Sequence, residues 1–416
     1  DDKKYIWHPL TQHQLHPNNI VIKKAKGALL YDEENNEYID AIASWYTCMY
    51  GHCNPYITSM VSKQMQNLDH VVFTGFTHEP ATKLAKSLMK ILPENQRKLF
   101  FSDNGSTSVD VAIKMALQFH YNKGKKNNRI IAFEEGFHGD TFGAMSVSGL
   151  SVYNGPFKDF SLDVERLPVP NAENINAVTK KLASIARKGN VAAFVYEPLV
   201  QGAAAMKMHK PEHLDELLKI AKRNDVITLA DEVMTGFGKT GKNFASEYMT
   251  QLPDIICLSK SLTGGLVPMA ITSCSEEIYN AFLGPNMEKG FFHGHTYSAN
   301  PTSCTAALAS IELLNSDEIQ KSINRIRLSH KAFISKIEKH PKVRNTRKQG
   351  IIMAIDLNVE TDRYGDLRFK LFNFYMSKGI YLRPLGNTVY VLAPYIISDA
   401  QLSKIYKAIE DSFEII

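Results

Sequence analysis

Apolar and polar positions follow two rhythms along the chain. Ala81, Leu84, Ala85, Leu88 and Ile91 recur at steps of three and four, which puts them on one helix face, and Pro93 ends the pattern. Leu99-Phe100-Phe101 reads as a short strand. The polar SDNGS follows it, and a helical pattern then runs through Val111-Ala112-Ile113. Further apolar runs occupy 129–133, 192–196, 226–230, 255–258 and 269–272, and helical stretches such as HLDELLKIAKR (213–223) separate most of them. This alternation predicts an α/β domain with a mainly parallel central sheet. The texture changes near residue 315. Strand-like 350–357, helical 366–378, strand-like 381–393 and a final helix from Asp399 predict a smaller α+β domain. The hairpin-like GALLYDEENNEYID lies in the N-terminal segment. The expected division is a segment 1–48 joining the small domain, a large domain 49–315 and a small domain 316–416.

Composition narrows the class. The chain has 416 residues, 44% hydrophobic and 22% charged, enough for two or three domains. A net charge of +5 is weak, and the densest basic run, Lys123-Gly-Lys125-Lys126, reads as a solvated loop, so no nucleic-acid partner is expected. Five cysteines (48, 53, 257, 274 and 304) form no CxxC pair and read as reduced thiols of a cytoplasmic protein. No apolar run approaches the ~18 residues of a membrane span. The opening DDKKYIWHPL does not read as a signal peptide.

Two glycine patterns are decoys. Gly236–Gly241, GFGKTG, satisfies GxGxxG, but EVMT separates it from the preceding strand and no good helix start follows. It also nearly fits a P-loop, yet Asn243 stands where a Ser or Thr must hold magnesium. It reads instead as a loop near a ligand or a subunit contact. His293-Gly-His295 lacks a third ligand of fitting spacing, so no metal is expected.

The polar residues at the strand ends carry the chemistry. Lys260 follows the apolar run 255–258. Asp231 ends another strand, in LADEVMTGFG. Gly105-Ser106-Thr107 open a helix after a third, and EEGFHGD (134–140) follows a fourth. Ligands of open α/β sheets bind at the carboxyl ends of the strands, and a helix N-terminus suits phosphate. Each residue alone has a plain reading: a snorkelling lysine, a capping aspartate, a core phenylalanine at 137. Together they meet the needs of pyridoxal phosphate. The lysine joins the aldehyde, the aspartate keeps the ring nitrogen protonated, the helix start takes the phosphate and an aromatic ring stacks.

LADEVMTGFGKTG, then DIICLSKSLTGG, then FFHGHTYSANP resemble the ordered signature of the class III pyridoxal-phosphate aminotransferases, and the resemblance covers nearly the whole chain. It implies the pyridoxal-phosphate-dependent transferase fold of type I and a homodimer with shared active sites. IWHPLTQH (6–13), ASWYTCMYGHCNP (43–55), EPLVQGAAAM (197–206) and YLRPLGNTVYVLAPYII (381–397) resemble the biotin-pathway branch of that class. That branch implies 8-amino-7-oxononanoate as acceptor, with S-adenosylmethionine favoured as donor. Lysine as donor, or another class III enzyme acting on an ω-amino acid or diamine, are the alternatives.

By the same resemblance Lys260 is the cofactor-linked catalytic lysine and Asp231 pairs the ring nitrogen. Gly105 and Ser106 hold phosphate, Phe137 stacks on the ring, and Glu197 and Asp140 lie in the surroundings. Thr296 reaches the phosphate from the neighbouring subunit. Arg383 takes the far carboxylate of the acceptor, and Trp45, Tyr46, Gly294 and Tyr390 line the substrate cleft. His52 and His138 read as structural. The departures are Leu10, Tyr46 and Phe137, where the branch typically carries tyrosine, tryptophan and tyrosine.

Overall fold

A computed structural model describes residues 1–15, 19–149 and 154–416. Among the described residues sixteen strands follow in chain order. They are β1 (Ile22–Lys26), β2 (Leu29–Asp32), β3 (Glu37–Asp40), β4 (Gln96–Ser102), β5 (Arg129–Phe133), β6 (Val164–Leu167), β7 (Val191–Tyr196) and β8 (Val200–Gln201). Then come β9 (Lys207–Met208), β10 (Ile227–Asp231), β11 (Ile255–Leu258), β12 (Ala270–Ser275), β13 (Val343–Gln349), β14 (Ile352–Leu357), β15 (Ile380–Tyr381) and β16 (Thr388–Val391).

The central sheet has seven strands in the order β4-β12-β11-β10-β7-β5-β6. Its neighbours run parallel except β12, which is antiparallel to both β11 and β4. Helices cover both faces, so every residue of β7 is buried and the strand reads as a continuous apolar run. Alternate residues feed opposite cores. Ile131, Phe133, Phe194 and Tyr196 belong to one cluster, and Ile130, Ala132, Ala193 and Val195 to the other. The helix Gly105–Asn122 contributes Val109, Ala112, Met115 and Ala116 to the second.

Beyond the central sheet, β13, β14 and β16 pair antiparallel. The N-terminal hairpin β1-β2-β3 is completed by β15, parallel to β3, with Ile380 opposite Ile39 and Tyr381 opposite Asp40. The expected single strand over 381–393 is two short strands. Pro384 lacks a donor and Gly386 adopts φ +62°, which turns the chain between them. The pairing with β15 also fixes the residues just after β3: Ala41 donates to Tyr381 O (3.0 Å) and accepts from Leu392 N (2.9 Å). Among the described residues no helix is long and apolar enough to cross a membrane.

Candidate active site

The carboxyl ends of β11, β10, β7, β5 and β4 meet in one place. Lys260 follows β11 and opens a short 3-10 turn, with its own φ at +51° in the left-handed region. The turn closes at Gly264, φ +65°. Burial pushes the pKa of the Lys260 amine down, while Asp231 and Glu197 pull it back up. An amine so placed gives up its proton more readily than an exposed lysine.

Asp231 ends β10 and is almost fully buried. Its Oδ2 accepts from His138 Nδ1 at 2.7 Å and its Oδ1 from Val233 N at 3.1 Å. Burial would lower the pKa of His138, but the hydrogen bond and charge of Asp231 outweigh it and raise it. His138 therefore tends to hold its proton, which keeps Nδ1 a donor to Asp231. The Nε2 of His138 is buried without a hydrogen-bond partner. The sequence reads His138 as structural; in the structure it is the hydrogen-bond partner of the buried aspartate. A histidine in a loop carries no sequence signal for that contact, because its partner is 93 positions away.

Glu197 follows β7. Its two oxygens accept from Phe137 N and Gly202 N, each at 3.0 Å. It thus ties the Gly202 loop to the segment that carries Phe137. Burial raises its pKa to about 7, with Asp231 adding to the rise and His138 opposing it. Phe137 keeps 38% of its surface exposed, so part of the ring is open to a ligand.

Asn104 caps the helix Gly105–Asn122 in a capping box: its Oδ1 accepts from Thr107 N, and its backbone N–H donates to Thr107 Oγ1. Ser106 Oγ accepts from Asp140 N at 3.2 Å. A Cβ on Gly139, φ +134°, would stand 2.1 Å from Ser106 Oγ, so only glycine lets that loop close on the helix start. A cavity of about 320 Å³ is bounded here by Asp103, Asn104, Gly105, Ser259 and Lys260 among others.

Across from Lys260 stands an aromatic wall. The Lys260 amine is 5.3 Å from the centroid of the Tyr46 ring. Tyr46 meets Tyr390 edge-on at 6.0 Å, and the Arg383 guanidinium lies 5.2 Å from the Trp45 ring. Arg383 forms no ion pair with a carboxylate among the described residues, and its charge lowers the pKa of both tyrosines against the larger upward push of burial. Residues 43–46 reach this position in a left-handed turn. Ala43, Ser44, Trp45 and Tyr46 have φ of 46°, 46°, 64° and 69°. Each such L-residue costs about 1–2 kcal/mol, so surrounding contacts must hold the turn.

The GFGKTG segment is followed by the short 3-10 turn Ala245–Tyr248 and not by an α-helix, and it wraps Lys239, which is fully buried. Lys239 Nζ donates to Gly236 O (2.8 Å) and Ser261 Oγ (2.6 Å), and Ser261 donates onward to Tyr46 O (2.9 Å). Sequence reasoning missed this residue, since a lysine among glycines reads as solvated. Gly294 and Thr296 lie on an exposed loop and make no hydrogen bond to the Lys260 cluster of the same chain. In that loop His293 Nδ1 bonds Lys114 Nζ (2.9 Å) and His295 pairs with Asp103 (3.3 Å). Leu10 is 55% exposed in the N-terminal segment.

The set fits pyridoxal 5'-phosphate. It joins a capped helix start suited to phosphate, a buried carboxylate held by an imidazole, a half-exposed aromatic ring and a lysine amine of lowered pKa. Fold and site together define a pyridoxal-phosphate-dependent enzyme of fold type I. The chain belongs to the class III aminotransferases, whose profile matches residues 10–413, and its cofactor is pyridoxal 5'-phosphate. It is 42% identical, over 98% of its own length and 98% of the relative, to the adenosylmethionine-8-amino-7-oxononanoate aminotransferase of Synechococcus elongatus. The crystal structure of the enzyme of that name from Methanocaldococcus jannaschii superposes with a TM-score of 0.93 at 33% identity, covering 99% of this chain and 98% of that one. An amine transaminase from an uncultivated Pseudomonas species, solved with pyridoxal phosphate bound, superposes with a TM-score of 0.93 at 25% identity, covering 99% and 98% of the two chains.

Proposed function

We propose that the chain transfers an amino group to 8-amino-7-oxononanoate, giving 7,8-diaminononanoate in biotin biosynthesis, with S-adenosylmethionine as donor. The observation that carries this reading is Arg383. Among the described residues it is a cation without a carboxylate partner, 5.2 Å from the Trp45 ring and across the cleft from Lys260. An acceptor with a carboxylate at the far end of an aliphatic chain would satisfy it, and a guanidinium grips a carboxylate in a bidentate way that lysine does not. The relatives that bear the name adenosylmethionine-8-amino-7-oxononanoate aminotransferase support the same reading.

Pyridoxal phosphate, when bound, supplies the electron sink that makes a substrate C–H bond acidic. The remaining work falls to the chain. Lys260 would link to the cofactor and, when free, move a proton at its Nζ between substrate and cofactor carbons. Asp231, held by His138, would face the ring nitrogen. Gly105 and Ser106 would hold the phosphate, and Phe137 would cover one ring face. Tyr46, Tyr390 and Trp45 would wall the cleft and keep water from the reacting amine.

Two copies would form a homodimer in which Gly294 and Thr296 complete the partner's site. The loop that carries them exposes Phe292 and Tyr297, rings that a second copy would cover. A cytoplasmic setting fits five cysteines that are all free thiols. The chain would divide into a cofactor-binding unit, 49–315, and a small unit, 316–416, with 1–48 attached through the β3–β15 pairing. Residues 16–18 of that last segment lie outside the described residues. Production of 7,8-diaminononanoate from the oxononanoate and S-adenosylmethionine by purified protein, measured by mass, tests the reading. No product, or equal product from Lys260→Ala, would reject it.

A further inference from the structure

Asp40 ends β3 and is completely buried, yet no role in the chemistry reaches it. Its carboxylate is saturated by one local set of donors. Oδ1 accepts from Ile42 N (3.3 Å), and Oδ2 accepts from Ser44 Oγ (2.8 Å) and His52 Nε2 (2.8 Å). Ile42 and His52 lie on the two sides of the left-handed turn 43–46, and Ser44 lies within it. Four consecutive non-glycine residues in that region are not held by intrinsic preference, and something outside the turn must impose it. At the far end of the turn Ser261 Oγ donates to Tyr46 O (2.9 Å), and Ser261 is the neighbour of Lys260.

We propose that Asp40 is a positioning residue for the acceptor side of the cleft, holding residues 43–46 left-handed so that Trp45 faces Arg383 and Tyr46 faces Lys260. The proposal takes the substrate role of Arg383 and Trp45 from the proposed function. The turn itself does not depend on that role. In an ordinary extended segment Trp45 and Tyr46 would point to opposite sides. Here the two rings flank one cleft, 5.2 Å from the Arg383 guanidinium and 5.3 Å from the Lys260 amine. The carboxylate is specific to the task. An amide in its place cannot accept from three donors, because its nitrogen would confront a donor at one oxygen position or the other.

The test uses a Trp7→Phe background, in which Trp45 is the sole tryptophan of a chain that has two. Asp40→Asn should raise KM for 8-amino-7-oxononanoate about tenfold with kcat within about threefold, since uniform binding and not chemistry is lost. It should also shift Trp45 emission to longer wavelength in the full chain. Adding Ser44→Gly should restore both, because glycine takes positive φ at little cost. An unchanged emission and KM in Asp40→Asn, or a folded double variant no better than the single one, would overturn the proposal. Should Asp40→Asn fail to fold, Ser44→Ala removes one of the three bonds and carries the same test, with a smaller rise in KM and a smaller shift expected. No change in either would overturn it. A shifted emission with no turnover of the oxononanoate by any variant, the parent included, supports the turn and rejects the substrate assignment instead.

Discussion

His138 Nδ1 stands 2.7 Å from Asp231 Oδ2 at the end of β10, and both side chains are buried. The pair sets an imidazole of raised pKa as the hydrogen-bond donor to a carboxyl group closed off from water. Replacing His138 by Gln removes the ring donor. A lost hydrogen bond to a buried charge is worth about 1.5–3 kcal/mol, so kcat/KM should fall roughly 10- to 100-fold. Cofactor binding, followed by its visible absorbance during reconstitution, should weaken with it. Unchanged kinetics in His138→Gln would mean that Asp231 needs no partner.

Arg383→Ala should raise KM for 8-amino-7-oxononanoate by about 100-fold while changing KM for S-adenosylmethionine far less, in keeping with a charge-assisted contact of about 3 kcal/mol. Steady-state kinetics with each substrate varied in turn checks this. Equal effects on both substrates would remove the carboxylate role of Arg383.

Glu197 carries a pKa raised to about 7, mainly by burial. The folded chain therefore binds this proton more tightly than the unfolded chain does. Between the ordinary carboxylate range and pH 7 the folded state holds more protons, so this group's contribution to stability is greatest at low pH and is lost as pH rises through about 7. Glu197→Gln removes that component while losing an acceptor for Phe137 N or Gly202 N. The variant should be less stable than the parent at pH 5, and the gap should narrow by pH 8. Thermal melts of both at the two pH values decide it; a constant gap would mean Glu197 is ionised throughout.

Thr296→Asp should weaken cofactor binding by setting a carboxylate toward the partner's phosphate site. Mixed with Lys260→Ala, it should regain about a quarter of parental activity, because half of the dimers are hybrids and each hybrid has one intact site. Mass by light scattering should give two chains. No regain on mixing would place Thr296 outside the partner's site.

Much of this was legible in the chain, and the exceptions have one cause. β11 and β10 read as short apolar runs, and Lys260 and Asp231 stand at their ends where polar residues are conspicuous. The helix start at Gly105 declared itself through SDNGS. Arg383, Trp45, Tyr46 and Tyr390, distant in sequence, do converge on one wall. What stayed hidden depends on contacts between remote segments. The left-handed turn at 43–46 contains no glycine or asparagine to announce it; Asp40, His52 and Ser261 impose it from outside. Lys239 sits among glycines and looks solvated, yet its own GFGKTG segment folds around it and its amine meets Ser261. The run 381–393 has strand composition throughout, and only the Pro384–Gly386 bend divides it.

The central claim, transamination at Lys260 with S-adenosylmethionine as donor, is tested most directly by a half-reaction. Cofactor-loaded protein is mixed with S-adenosylmethionine alone while the visible cofactor absorbance is followed, and 8-amino-7-oxononanoate is then added. The absorbance should fall on the first addition and return on the second. An absorbance that stays constant with S-adenosylmethionine, or falls but is not restored by the oxononanoate, would contradict the account.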